Sequence, residues 1–304
     1  MSSIVEIKHV SKEIDGRSVL SGVDLAISAG SVYGIVGANG AGKTTLLRLL
    51  NGVYRPSSGE IHIFGQPMPE EAAAIRQRVH LVSSDGSFYP GFRVKDLFRY
   101  ASMLYSSWDH QRCNTLIAAL ELPVEQSIRT LSLGMQMQLR LAVALCSRPD
   151  ILLLDEPTNG LDPVVRRQFL QLIVQEVAGT GMTVVMATHR FEDLEAIADG
   201  ISVLYQGRLL LSGMLEDLKT QFHEVIAVAD GSISADVWNF PGIQSMQSRG
   251  AIHSCIVKGD TTRLCEQLES AGVLHIDILP LSLEELFRAV MRKEGYSRDA
   301  VFLL

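Results

Sequence analysis

Two periodicities divide the chain. Residues 4–35 alternate apolar and polar positions in short runs, Ile4 to His9 and Val23 to Ile27 among them, interrupted at Asp15-Gly16 and Ala29-Gly30. A period of two puts successive side chains on opposite faces of an extended chain, so this region predicts strands joined by turns. Val32-Tyr33-Gly34-Ile35-Val36 is short and apolar, which predicts a buried strand, and Thr45 through Leu50 then opens a helix ending at Asn51-Gly52. Between residues 96 and 148 the period lengthens: Leu97, Tyr100, Ala101 and Leu104, then Leu116, Ile117 and Leu120, then Leu139 to Leu145 predict a helical insertion. Strand character returns at Ile151 to Leu154 and at Thr183 to Ala187, separated by a helix carrying Phe169, Leu170, Ile173, Val174 and Val177. Strand, helix and strand in succession imply a parallel sheet whose ligand sits at the strand carboxyl ends. After about residue 222 the pattern becomes Val225 to Val228, Ile252 to Val257, a helix near Arg263 to Ala271, Ile276 to Leu279 and a last helix opened by the capping box Ser282-Leu283-Glu284-Glu285. The expected organisation is therefore α/β, with a large domain over 1–222 and a small α+β domain over 223–304.

Composition sets limits on this picture. A length of 304 residues exceeds one average domain of about 100–200, which agrees with a large and a smaller unit. Apolar residues at 47% and charged residues at 20% describe an ordinary globular protein. The net charge of −7 argues against a broad nucleic-acid surface, which needs clustered Lys and Arg. Cys113, Cys146, Cys255 and Cys265 show no Cys-x-x-Cys spacing and read as reduced core residues. The first residues lack a basic region followed by an apolar run, so no signal peptide is expected, and no window approaches the roughly 18 apolar residues of a membrane-spanning helix. If the chain serves a membrane, a partner crosses it.

The chemistry is concentrated in two places. Gly37-Ala38-Asn39-Gly40-Ala41-Gly42-Lys43-Thr44 fits G-x-x-x-x-G-K-[ST] and lies between a predicted buried strand and a predicted helix, the context that motif requires. Its glycines let backbone N–H groups turn inward on phosphates, the helix N-terminus adds a favourable field, Lys43 suits the β- and γ-phosphates, and the Thr44 hydroxyl suits magnesium. Thr45 follows directly in the nucleotide-binding stretch. The second place is Ile151-Leu152-Leu153-Leu154-Asp155-Glu156, where an apolar strand delivers two adjacent carboxylates. Buried carboxylates need cations or protons. Asp155 suits the magnesium shell, and Glu156 suits a general base that polarises the attacking water.

With these two motifs in order, residues 4 to 220 resemble the nucleotide-binding subunits of ATP-binding-cassette transporters. Leu131-Ser132-Leu133-Gly134-Met135 is similar to that family's Leu-Ser-Gly-Gly-Gln signature, with Leu in third place and Met in fifth. Asn159-Gly160-Leu161-Asp162 is similar to its D-loop, and Thr188-His189 to its switch histidine. The resemblance implies a phosphate-loop NTPase cassette with a parallel sheet core, an antiparallel β subdomain and a helical subdomain. It implies ATP and Mg2+ as ligands, Lys43, Glu156 and His189 as catalytic residues, and a dimer in which Ser132 and Gly134 contact the γ-phosphate bound by the other subunit.

Two positions depart from the family pattern. Ser84, within Val79 to Asp85, stands where a Gln or Glu normally touches magnesium and the attacking water. A bridging water, substitution by Asp85, or heavier reliance on Glu156 and His189 all remain open. Ile14 stands where many relatives stack an aromatic ring on adenine, which implies loose base selectivity.

Translation-associated relatives carry two cassettes, chromosome-maintenance relatives a long coiled coil, and excision-repair relatives zinc-binding cysteines; none of these features is visible in this sequence. The resemblance therefore implies the separate ATPase subunit of a transporter, peripheral at the cytoplasmic face of a bacterial membrane, working as a homodimer or heterodimer with a permease and without nucleic acid. Phe88-Tyr89-Pro90, Leu104 to Asp109, the signature and Leu281 to Phe287 resemble exporters of antimicrobial peptides, lantibiotics or drugs. Export of a peptide, drug or lipid-like substrate is expected; an importer ATPase and a weakly hydrolysing regulatory cassette are the alternatives. Among the aromatics of residues 88–108, Phe88 and Phe92 are the expected contacts to the membrane partner, and Phe98, Tyr100, Tyr105 and Trp108 are expected mostly in the core.

Overall fold

The computed structural model describes residues 3–68, 72–86, 88–89, 91–230 and 233–293; Pro90 lies outside them. The chain divides into two compact units, Met1–Ser212 and Gly213–Leu304.

The first unit opens with β1 (Ser3–Ile14) and β2 (Arg17–Ser28), paired antiparallel about the turn at Asp15-Gly16. Both turn residues have positive φ, 51° and 73°, the geometry of a tight hairpin turn. With β4 (Ser58–Ile63) and β5 (Gln66–Met68) they form a four-stranded antiparallel sheet in the order β2-β1-β4-β5. Alternation along β1 and β2 sends Val5, Ile7, Val10, Leu25 and Ile27 into the core and the residues between them outward.

The central sheet contains β3 (Val32–Val36), β6 (Val79–Ser83), β7 (Ile151–Asp155), β8 (Thr183–Thr188), β9 (Gly200–Tyr205) and β10 (Arg208–Met214), ordered β10-β9-β3-β8-β7-β6. β3 pairs in parallel with β8 and β9, and β7 in parallel with β6 and β8. All residues of β3, β7 and β8 are buried, as expected for strands covered on both faces. α1 (Lys43–Leu50) buries Leu46, Leu47, Leu49 and Leu50, and α6 (Pro163–Thr180) buries Phe169, Leu170 and Ile173. α2 (Ala72–Arg76) precedes β6, and α7 (Phe191–Ile197) follows β8. The expected helical insertion consists of α3 (Val94–Leu104), α4 (His110–Ala119) and α5 (Leu133–Cys146).

The second unit contains α8 (Leu215–Gln221), β11 (Phe222–Val228), β12 (Ile243–Arg249), β13 (Ile252–Lys258), α9 (Thr262–Ser270), β14 (His275–Pro280) and α10 (Leu283–Lys293). Its antiparallel sheet runs β12-β13-β11-β14. Val225, Ala227, Cys255 and Val257 pack with Leu264 and Leu268 of α9 into a separate core. The Ser282 capping box forms as spaced: Ser282 N–H donates to Glu285 Oε2 at 2.8 Å, and Glu285 N–H to Ser282 Oγ at 3.3 Å. The unit starts ahead of residue 222, the boundary read from the strand pattern, because α8 packs on β11.

Cys113, Cys146 and Cys255 are buried and Cys265 is half-buried. Burial pushes the Cys146 thiol above its usual range and the Cys255 thiol up to about 12, so neither is a ready nucleophile.

Candidate functional site

Parallel pairing brings the candidate residues to one edge. Val36 lies opposite Thr188, Ala187 opposite Asp155, and Asp155 opposite Ser83. The segments that continue from β3, β6, β7 and β8, beginning at Gly37, Ser84, Glu156 and His189, therefore leave the sheet side by side.

The loop from Gly37 to Gly42 has no room for side chains at two places. A Cβ on Gly37 would stand 2.3 Å from the Leu204 carbonyl oxygen, and Gly42 has φ of 107° with its absent Cβ facing Leu20 and the Val19 carbonyl. Gly42 ends the loop, and α1 begins at Lys43. Lys43 is buried; its Nζ donates to the carbonyls of Gly37 at 2.8 Å and Ala38 at 3.3 Å, and lies 3.3 Å from Glu156 Oε1. The second Glu156 oxygen, Oε2, lies 2.9 Å from His189 Nδ1. Lys43, Glu156 and His189 thus form one chain of contacts. Glu156 itself has φ of 48°, a conformation costly for a residue with a side chain, and its N–H donates to Ala187 O at 2.9 Å. That bond to the neighbouring strand holds the carboxylate between lysine and histidine.

Asp155 is buried, and the Thr44 hydroxyl donates to its Oδ1 at 3.1 Å. Burial holds its carboxyl above the usual carboxylate range, against the opposing effect of the Thr44 hydrogen bond. A divalent cation beside Asp155 would offset that desolvation. Thr44 and Asp155 together offer hard oxygen donors of the kind magnesium takes while keeping water and phosphate oxygens in its remaining positions. No group of three or more His, Cys, Asp or Glu among the described residues forms an all-protein metal cage.

Ser132 and Gly134 stand elsewhere in the unit. Ser132 is the N-cap of α5, accepting from Met135 N–H at 3.2 Å, and with Gly134 it lines a cavity of about 380 Å³ together with Gly160, Leu161 and Asp162. Asp162 caps α6 through Val164 N–H at 3.0 Å and Val165 N–H at 3.1 Å. Signature and D-loop thus share one surface, with Leu133 71% exposed on it. A larger cavity, about 630 Å³, lies between α4, α5 and α6 and contains none of the phosphate-loop residues.

Residues 20–159 match the ABC transporter family. The ABC transporter ATP-binding protein YtrB of Bacillus subtilis is 30% identical over 286 residues, spanning 94% of this chain and 97% of that protein. The chain belongs to the ABC transporter ATP-binding proteins. As a member of that family it is an ATPase cassette. The Nod factor export ATP-binding protein I of Cupriavidus pinatubonensis is 32% identical to this cassette, over 90% of it and 79% of that protein. Among solved structures, a dimeric ATP-binding cassette in a post-hydrolysis state with ADP and Pi shares its fold at a TM-score of 0.63 and 24% identity, over 69% of this cassette and 98% of that chain. A bacterial Atm1-family ABC exporter with ATP bound matches at a TM-score of 0.63 and 26% identity, over 71% of the cassette and 40% of that chain. Among the described residues no helix is long and apolar enough to cross a membrane.

The two departures have structural settings. Ser84 N–H donates to Asp155 O at 3.3 Å, and its hydroxyl lies 3.4 Å from Asp85 Oδ1, too long for a strong bond. Ile14, half-buried, ends β1 opposite Arg17 of β2. Phe98 is buried as expected, and other aromatics differ from expectation. Phe88 is half-buried with the Arg140 guanidinium 4.4 Å from its ring centre. Phe92 is half-buried, while Tyr89 is 62% exposed and Tyr100, on a helix, 39%. Tyr89, Phe92 and Tyr100 form a trio with centroids 5.4–5.9 Å apart, and Met103 and Leu104 are exposed nearby in sequence. Helical periodicity alone did not say that Tyr100 faces outward.

Proposed function

We propose that this cassette binds MgATP at Gly37 to Thr45 and uses its hydrolysis to energise export of a peptide, drug or lipid-like substrate through a separate membrane subunit. The observation that carries the catalytic part is the Lys43–Glu156–His189 chain beside Thr44 and Asp155. Phosphate competes with Glu156 for the Lys43 ammonium, leaving the carboxylate held by His189 and free to accept a proton from water. The water oxygen then bonds to the γ-phosphorus as the bond to the bridging oxygen breaks, giving ADP and phosphate. Magnesium, held by Thr44 and Asp155, would neutralise phosphate charge. Ser132 and Gly134 complete the site of a second cassette in a dimer, at the membrane's cytoplasmic face. That pairing explains why they share no hydrogen bond with Lys43 or Glu156 among the described residues. Support for export comes from relatives named for Nod factor export and daunorubicin resistance.

Glu156→Gln is expected to keep ATP binding and lower turnover by a factor on the order of 10²–10⁴, measured as phosphate release; near-parental hydrolysis would reject Glu156 as the base. Direction of transport is read by ATP-driven substrate uptake into inverted vesicles carrying the cassette and its permease, and uptake into right-side-out vesicles instead would point to import. Tyr89, Phe92 and Tyr100 are the proposed contacts to that permease. Tyr89→Ala with Tyr100→Ala should weaken co-purification, and undiminished association removes the assignment.

A further inference from the structure

The sheet of the second unit has two edges, and they are built differently. β12 reads Ile-Gln-Ser-Met-Gln-Ser-Arg and shifts register against β13 between Ile243 and Ser245. Polar side chains and a bulge are devices that blunt an edge against further pairing. β14 has neither. It keeps unbroken register with β11 from His275 opposite Val228 to Pro280 opposite His223, and Leu274, Ile278 and Leu279 are 70%, 47% and 43% exposed.

Alternation tells which backbone groups this edge presents. Ala229 N–H donates to Ala251 O at 2.9 Å and Gly259 N–H to Gln221 O at 2.8 Å, so odd-numbered residues of β11 face β13 and even-numbered ones face β14. The partners of Glu224, Ile226 and Val228 are Leu279, Asp277 and His275, whose N–H and C=O groups therefore point back to β11. Those of Ile276 and Ile278 point out. The Ile276 side chain packs against the core of the unit, and Ile278 follows on the same face by the period of two; Leu274, whose N–H turns in to Val228 O at 2.8 Å, stands just ahead of the strand.

We propose that β14 pairs antiparallel with β14 of a second copy of this chain, with Ile276 on the two-fold axis. In that register Ile276 exchanges two hydrogen bonds with its own copy, and the Ile278 N–H reaches the Leu274 carbonyl across the joint. Leu274 and Ile278, both exposed, lie opposite each other. His275 lies opposite Asp277 on the other face, where the two already meet within one strand at 3.1 Å. A shift of one residue in each copy would set Asp277 against Asp277, so charge selects the register. The contact uses the same segment on both sides and closes at a dimer. It needs no nucleotide, which separates it from cassette closure over ATP and makes it independent of the proposed transport cycle.

The test is sedimentation equilibrium of the full chain without nucleotide, at roughly micromolar concentrations and above. A reversible dimer is expected. Ile278→Pro removes an outward N–H and spares the ladder to β11; it should raise the dissociation constant about tenfold or more. Asp277→His, which sets His against His, should weaken the dimer similarly, and the double variant His275→Asp with Asp277→His should restore it. Trp238 fluorescence reports whether each variant stays folded. A parent that remains monomeric, or a dimer indifferent to all three variants, overturns the proposal. Should the variants unfold, amide exchange of the parent decides: slowing at Ile276 and Ile278 as concentration rises supports the pairing, and concentration-independent exchange overturns it.

Discussion

The central sheet of the first unit and the sheet of the second solve the same burial problem in opposite ways. β3, β7 and β8 are buried along their whole length, so charged groups emerge only at strand ends. Lys43, Asp155, Thr158, Thr188 and Asp193 are all buried in or just beyond the segments leaving β3, β7 and β8. Each is costly unless paired. Thr158 and Arg166 both hold Asp193, the former at 2.5 Å, and Lys43 leans on Glu156. In the second unit β11 and β13 bury one face, against α9, and among the described residues the buried polar ones are His253 and Thr261. Concentrated desolvated charge marks where chemistry is done; half-covered strands with a bare edge mark a surface for association.

If the units are as independent as that contrast implies, core damage in the second should spare hydrolysis in the first. Leu268, fully buried in α9, is the place to test it. Leu268→Ala should cost about 2–5 kcal/mol of local stability. The chain has two tryptophans, Trp108 in the first unit and Trp238 in the second, so single-tryptophan variants follow each unit in urea. The Trp238 transition should move to lower urea, the Trp108 transition should stay, and ATP turnover without a membrane partner should stay near parental. A joint shift of both transitions would dissolve the contrast.

The first unit should respond to acid through a group its chemistry does not use. His80, buried in β6 with Ser147 Oγ at 2.7 Å and the Tyr105 ring tilted by 40° at 4.3 Å, has its pKa lowered by burial from 6.5 to about 4. A depressed folded value means the neutral ring contributes stability that is present above about pH 6.5 and lost as pH falls toward 4. The loss should reach about 3 kcal/mol. Comparing the Trp108 transition between pH 7 and 4 in the parent and in His80→Phe isolates it; equal pH dependence in both would show that His80 is not responsible.

Much of this was legible in the sequence because apolar runs and polar ends coincide. Val32 to Val36 and Ile151 to Leu154 could only be buried strands, and the motifs that follow them had to lie at one sheet edge once the sheet was parallel. The Ser282 capping box likewise announced α10. Other features were hidden because they depend on which strands meet. Nothing local predicts that Glu156 takes a left-handed conformation between Lys43 and His189, since that requires Ala187 on β8 to hold its N–H. His80 reads as an ordinary strand residue until Ser147 closes over it. β12 escaped notice because Gln244, Ser245, Gln247 and Ser248 leave too few apolar positions to show alternation. The place of β14 at the sheet edge follows from the strand order, which no single segment carries.

The smallest expected effect lies at Ser84, where the family pattern is broken inside the most heavily constrained region. Its hydroxyl is 3.4 Å from Asp85, and Asp85 is exposed, while Arg140 binds the Gly86 carbonyl in the same turn. The turn is thus fastened to α5 by Arg140 and to β7 through the Ser84 N–H rather than by the Ser84 side chain. If the hydroxyl reaches the reaction through a water, removing it loses one neutral hydrogen bond, about 0.5–1.5 kcal/mol. Ser84→Ala should therefore lower turnover by no more than about tenfold, and Asp85→Ala less, both well short of Glu156→Gln. Steady-state phosphate release with the membrane partner present is the measurement. Parental rates and coupling in both variants would leave hydrolysis to Glu156 and His189 alone. A loss in Asp85→Ala as deep as that of Glu156→Gln would move the catalytic carboxylate out of the sheet edge and into this loop, against the half-buried, histidine-held geometry of Glu156.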